Sequence, residues 1–288
     1  MTVLPSNCIL YHNNLIRHIG EIQDNHTMSS NNYPNLSKDE LYLISRAEFE
    51  RQKLITSEFA GRLFKNPKRT ADLLDRLTRK GRLLQLQRGK YLLVPIKAPN
   101  QQWAPNEFMV AALWMGDTPY YIGYFTMYNY WGFTEQIPQT VFILNLKKNV
   151  KKTIGNLKYE ALRIDEKKYF GIVKIKIEDE DVCISDKERT LVDFVYNPMG
   201  SFANLGTVLK DNMTEIDLDK FIRYLIRFPI VSVRKRAGFF LEEIGCKNTF
   251  LEKLKKTVGP KDTYVVLDPS NKSRKGKINK DWKIIVNR

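Results

Sequence analysis

The sequence predicts an α+β protein, an N-terminal winged helix-turn-helix followed by a mixed α/β C-terminal domain. Three observations predict it: two amphipathic helices joined by a two-residue turn, a basic β-hairpin directly after them, and interleaved helical and strand-like segments from residue 102 onward. In the block KNPKRTADLLDRLTRKGRLLQLQRGKYLLVP, Asn66 is a good N-cap and Pro67 suits the first helical position, where a missing N–H costs nothing. Thr70, Leu73, Leu74 and Leu77 recur at i, i+3, i+4, i+7 and define a buried face, while Lys68, Arg69, Asp72, Arg76 and Arg79 point elsewhere. Gly81 ends this helix. Leu83–Gln87 and Lys90–Val94 are β-prone runs meeting at Arg88-Gly89, a tight hairpin with a charged tip.

Upstream, Thr56 can cap a short helix over Glu58–Phe64 with Phe59, Ala60 and Leu63 inward, and Lys65-Asn66 supplies the turn. Ser37 and Glu40 form a capping box for a third helix, with Leu41, Ile44, Ala47 and Phe49 as its inner face. In such a module the second helix of the motif enters the major groove and its flanking cations hold phosphates. Cationic helix faces are commonly just solvated, and the same module also serves protein–protein contacts. Charge density favours nucleic acid. Nine basic residues lie between Lys65 and Lys90 against Asp72 and Asp75 alone, in a chain with a formal charge of +15.

The 288 residues suffice for two domains. No apolar stretch approaches a membrane span, and MTVLPSNCIL lacks a basic n-region and a long apolar core. A cytoplasmic protein without membrane contact is expected. Cys8, Cys183 and Cys246 are too few and too far apart for a disulfide framework or a CxxC site. His12, His18 and His26 all precede Ser37, so the remainder has no histidine for a catalytic triad, a zinc site or a general base. No GxxxxGK[ST] or GxGxxG loop is present either. No cofactor, no metal site and no catalytic residue is expected.

Residues 1–36, rich in Asn, His and Ser, are expected to form a disordered leader, with Met28 a second candidate start. The winged-helix domain is assigned to 37–96, Lys97–Gln101 to a linker, and 102–288 to the mixed α/β domain. The latter opens with a helix near Pro105–Trp114. The aromatic segment Tyr120–Phe133 carries no charge with which to hold phosphates and is read as core, ahead of a strand over Thr140–Leu146. Lys147, Lys148, Lys151 and Lys152 follow, either a solvated loop or a second phosphate contact. A helix begins at Ser185 with a capping box to Glu188 and stops at Asn197-Pro198. Asp186, Glu188 and Asp193 suggest a metal-dependent nuclease, but capping and dipole compensation account for them more economically. Helices around Leu218–Leu225 and Val233–Ile244, then a run at Tyr264–Leu267, lead through basic NKSRKGK to a terminal strand, Trp282–Val286.

Four segments, RKGRLLQLQRGKYLLVP, YYIGYFTMYNYWGFTEQ, SDKERTLVDFVYNP and RKRAGFFLEEIG, together resemble the AbiEi antitoxin family of type IV toxin–antitoxin systems, over nearly everything from Leu41 to the C-terminus. The resemblance implies a winged helix that binds repeats in its own promoter and represses it, and a C-terminal antitoxin domain. It also implies a nucleotidyltransferase-like toxin opposed without a tight complex. It places the wing motif on Arg82 and Arg88-Gly89-Lys90-Tyr91 and the recognition helix on Pro67–Lys80. The expected DNA-binding set is therefore Lys65, Asn66, Lys68, Arg69, Asp72, Arg76, Arg79, Arg82, Arg88 and Lys90. Lys68, Arg69 and Asp72 would probe bases, Lys65 and Arg76 hold phosphates, and Arg88 and Lys90 anchor the wing. The alternatives are a solitary regulator, or a toxin-binding adaptor whose winged helix is an interaction surface.

Overall fold

A computed structural model describes residues 35–98, 103–198, 204–259 and 263–287. The expected leader up to residue 34 and linker residues 99–101 lie outside the described residues. The chain divides into two compact units. One runs to Asp117 and includes 151–159 and 176–182; the other comprises 118–150, 160–175 and 183–288. The fold class is α+β.

In the first unit, helix α1 (Lys38–Phe49) precedes strand β1 (Leu54–Thr56), helices α2 (Ser57–Phe64) and α3 (Pro67–Arg79), and the hairpin β2 (Leu83–Gln87) and β3 (Lys90–Leu93). The hairpin and β1 form an antiparallel sheet of order β1-β3-β2. This is the winged-helix arrangement. Ser37 closes the capping box on α1, accepting from Glu40 N while donating its own N–H to the Glu40 carboxylate at 2.7 Å. The buried face of α1 is Glu40, Leu43, Ile44 and Ala47. Leu41 and Phe49, expected inside, are exposed, Phe49 by 80%. Leu43, Ile44 and Ala47 pack with Ile55, Phe59, Ala60, Leu73, Leu74, Leu77, Leu83 and Leu93 into one core. Helix α4 (Glu107–Met115), expected to open the second domain, groups with the first unit, where Trp114 meets Tyr159 edge-on at 6.0 Å.

In the second unit β4 (Tyr120–Ile122) leads into α5 (Tyr124–Tyr130) and β5 (Thr140–Asn145). β4 and β5 are the central strands of a mixed sheet of order β6-β7-β5-β4-β9-β8, with β6 (Val150–Ile154), β7 (Leu157–Arg163), β8 (Ile172–Ile177) and β9 (Glu180–Ser185), of which residues 151–159 and 176–182 are counted with the first unit. β4 is antiparallel to β5 and parallel to β9, pairing Ile122 with Ile184. The helices α6 (Lys187–Tyr196), α7 (Leu205–Asn212), α8 (Leu218–Arg227), α9 (Val231–Glu243) and α10 (Asn248–Lys255) follow. A terminal sheet has the order β10-β12-β11, from β10 (Val265–Val266), β11 (Lys277–Asn279) and β12 (Ile284–Val286). Tyr121, Tyr124, Tyr128 and Phe133 join this unit's core, with Tyr128 packed edge-on against Phe194 at 4.8 Å. The aromatic segment packs and does not line a base-stacking platform.

Candidate nucleic-acid interface

Local chemistry sets the geometry of the helix-turn-helix. Thr56 Oγ1 accepts from Phe59 N at 3.0 Å and starts α2. Lys65 ends it in the left-handed conformation, with φ 53°. Asn66 Oδ1 then accepts from Arg69 N at 3.0 Å and Pro67 sits in the first turn of α3. The turn is thus two residues long because a C-cap and an N-cap are adjacent. Thr70, Leu73, Leu74 and Leu77 are the buried residues of α3. Gly81, at φ 66°, lets the chain reverse into β2.

The hairpin is short and braced. Gly89 turns at φ 75°, and its carbonyl accepts from Ser57 N at 2.9 Å, which ties the wing tip to the start of α2. β1 pairs as far as Lys90, opposite Thr56. The tip therefore stays level with the sheet, and its reach comes from the exposed Arg88 and the half-buried Lys90.

The expected contact residues separate by what already holds them. Lys65, Lys68, Arg88 and Lys90 carry no ion pair among the described residues, and all but Lys90 are exposed. Arg69, by contrast, donates to Asp39 from Nε at 3.1 Å and Nη2 at 2.6 Å. Arg79 is paired with Asp75 at 2.7 Å, one turn back. Arg76 donates to one Glu40 oxygen at 3.3 Å and Lys80 to the other at 2.6 Å. Burial alone would raise the Glu40 carboxyl, but hydrogen bonds from Lys80, the Ser37 backbone and Arg76 hold it at about 2. Much of the charge on α3 thus ties it to α1. Lys68, Asp72, Asp75 and Arg79, spaced at i, i+4, i+7 and i+11, share the exposed side of α3, so two carboxylates separate Lys68 at its N-terminal end from Arg79, which Asp75 engages.

Arg82 is a correction. Its N–H bonds to Leu77 O and its carbonyl accepts from Val94 N, both within 3.0 Å, so it is fixed at the base of the hairpin. Only 3% of it is exposed, and its Nε and Nη2 have no partner among the described residues. A side chain so placed cannot reach a phosphate.

The carboxylates weighed for a nuclease are held by the chain's own cations. Lys220 Nζ bridges Asp186 at 3.1 Å and Glu188 at 2.9 Å. Tyr224 Oη donates to Asp186 at 2.9 Å, and Glu188 accepts from Asp217 N at 2.9 Å. The N-cap of α6 is Asp186, which accepts from Arg189 N at 2.7 Å, and not Ser185, whose hydroxyl bonds Thr190 at 2.7 Å. Asp193 is paired with Arg189 at 2.6 Å, both fully buried. Among the described residues no group of three or more His, Cys, Asp or Glu could hold a metal ion.

Residues 44–94 match the family model described as "Transcriptional regulator, AbiEi antitoxin". The match is confined to the winged helix, which is similar to that family's regulator module. The matched segment begins within α1 and ends just past β3, so it contains Lys65, Lys68, Arg88 and Lys90. None of the curated proteins matches the chain. Among solved structures, the crystal structure of the RV2827C protein from Mycobacterium tuberculosis is similar, with TM-score 0.58 and 14% identity over 87% of this chain and 92% of that one. At that identity the likeness is one of fold. No described helix is long and apolar enough to cross a membrane.

Proposed function

We propose that the chain is a sequence-specific DNA-binding repressor, the antitoxin of a type IV toxin–antitoxin system, which binds inverted repeats in its own promoter. The observation that carries this reading is the set of cations with no ion pair among the described residues, at the turn (Lys65), the first turn of α3 (Lys68) and the braced wing tip (Arg88 and Lys90). On this reading Lys68 meets base edges from the first turn of α3, and Lys65, Arg88 and Lys90 hold the flanking phosphates. The protein acts in the cytoplasm without catalysis of its own, and opposes a nucleotidyltransferase-like toxin without a tight complex. The test is titration of the promoter duplex and a shuffled duplex of equal length at matched salt. A preference of about a thousandfold or more is expected; equal affinity for the two duplexes defeats the reading.

One observation favours a second reading, the toxin-binding adaptor. Asp72 and Asp75 interrupt the exposed side of α3 and make its far half nearly neutral. Co-purification with the neighbouring gene product, together with no shift of the promoter duplex, would select it.

A further inference from the structure

The basic run NKSRKGK is absorbed by none of this. It belongs to the terminal sheet of the second unit, between β10 and β12. Lys272, Arg274, Lys275, Lys277 and Lys280 are all exposed, and none carries an ion pair among the described residues. The nearby carboxylates are engaged elsewhere: Asp268 accepts from Ser270 N and Oγ, and Asp281 pairs with Lys255 at 3.6 Å.

A merely solvated lysine cluster needs no frame, yet this one has one. Asn287, 2% exposed, donates from Nδ2 to the carbonyls of Asp268, Asn271 and Ser273 at 3.0, 3.2 and 2.9 Å. Its Oδ1 accepts from Asp268 N at 2.9 Å, and Asn271 Nδ2 returns a bond to Asn287 O at 2.7 Å. Gly276 closes the loop against β12: a Cβ there would lie 2.1 Å from Val286 O. Below, Trp282 is fully buried and donates to Glu242 at 2.9 Å. The backbone bearing the five cations is thereby fixed before any partner arrives, which lowers the ordering cost of binding.

We propose that this loop is a second DNA contact, a sequence-independent grip on the phosphate backbone of a duplex. Four flexible lysines and Arg274 on a preorganised backbone suit phosphates. The proposal shares with the functional reading only the premise that the protein meets duplex DNA.

The experiment measures binding of the full chain to a random-sequence duplex across salt, for the parent and for the triple variant Lys272→Gln, Arg274→Gln, Lys275→Gln. Each phosphate contact contributes about 0.9 to the slope of log K against log salt, so the slope should become shallower by roughly 2 to 3. Lys272→Arg with Lys275→Arg should retain the parent slope, and thermal melting of each variant reports its folding. A change of one contact's worth or less, about 0.9, overturns the proposal while leaving the winged-helix reading intact. A shallower slope in a protein that does not prefer its own promoter supports the loop and defeats the repressor. A parent that binds no duplex overturns both.

Discussion

The carboxylate of Glu40 joins the first turn of α1 to the last turn of α3, receiving Lys80 on one oxygen at 2.6 Å and Arg76 on the other at 3.3 Å. It is also the fourth residue of a capping box, so one buried side chain sets both where α1 begins and how α3 lies across it. Its folded-state value of about 2 lies below the ordinary 4.5, so its stabilisation is present above pH 4.5 and is lost as the pH falls towards 2. Because Arg76 is 41% exposed, the contribution is discounted for solvent to about 2 kcal/mol. Glu40→Gln should therefore lower stability near neutral pH by that amount and flatten the acid limb of a denaturation series between those pH values. An unchanged acid limb would show that the pair does not set the stability.

On α3, Lys68, which has no ion pair among the described residues, should matter more than the neighbouring Arg69, which has one. Lys68→Ala should cost about 1–3 kcal/mol of discrimination between promoter and shuffled duplex. Arg69→Ala should cost less, because Arg69 must first leave Asp39. Arg88→Ala should weaken both duplexes alike and reduce the salt slope by about 0.9. Asp39→Asn, which releases Arg69, should tighten binding to shuffled DNA. Competitive gel shifts with the four variants check the order, and greater loss from Arg69→Ala than from Lys68→Ala would reverse the assignment.

What was legible follows from what leaves a periodic trace. The inner residues of α3, its Asn66 cap and the Arg88-Gly89 turn were all readable, because caps and turns use few residue types for stated steric reasons. The inner face of α1 was misjudged because its pivotal residue is charged: Glu40 is buried through partners 36 and 40 residues away. Arg82 was misassigned for the converse reason, since nothing local separates a buried arginine from an exposed one. Strand β1 is too short to show alternation. Strands β8 and β9 were missed although IVKIKI alternates, and Glu178 and Asp179 turn between them with positive φ, 48° and 71°, as a two-residue hairpin requires. Lysines on the open face diluted that signal.

Burial makes Arg82 a stability question. A guanidinium with Nε and Nη2 unpartnered among the described residues bears desolvation without full compensation. Arg82→Met keeps much of the aliphatic stem and removes the charge, so it should be neutral or stabilising by about 1–2 kcal/mol. Promoter affinity and its salt slope should not change. A loss of affinity with an unchanged melting temperature would return Arg82 to the DNA-binding set.

In the second unit the Arg189–Asp193 pair is the most exacting contact. Burial pushes the Asp193 carboxyl up, and the guanidinium of Arg189 holds it back. Arg189 also donates to Tyr121 Oη and to Lys168 O, each at 3.0 Å, and lies 4.8 Å from the centre of the Phe170 ring. Arg189→Met leaves Asp193 buried without its cation, so about 3–5 kcal/mol of stability should be lost. Asp193→Asn alone strands the arginine and should cost a similar amount. The double variant removes both charges and should recover much of the loss, giving a coupling energy well above the few tenths expected of independent sites. Denaturant melts of the three variants supply the cycle. Additive losses would mean that the helix is held by its apolar neighbours and that the ion pair is incidental.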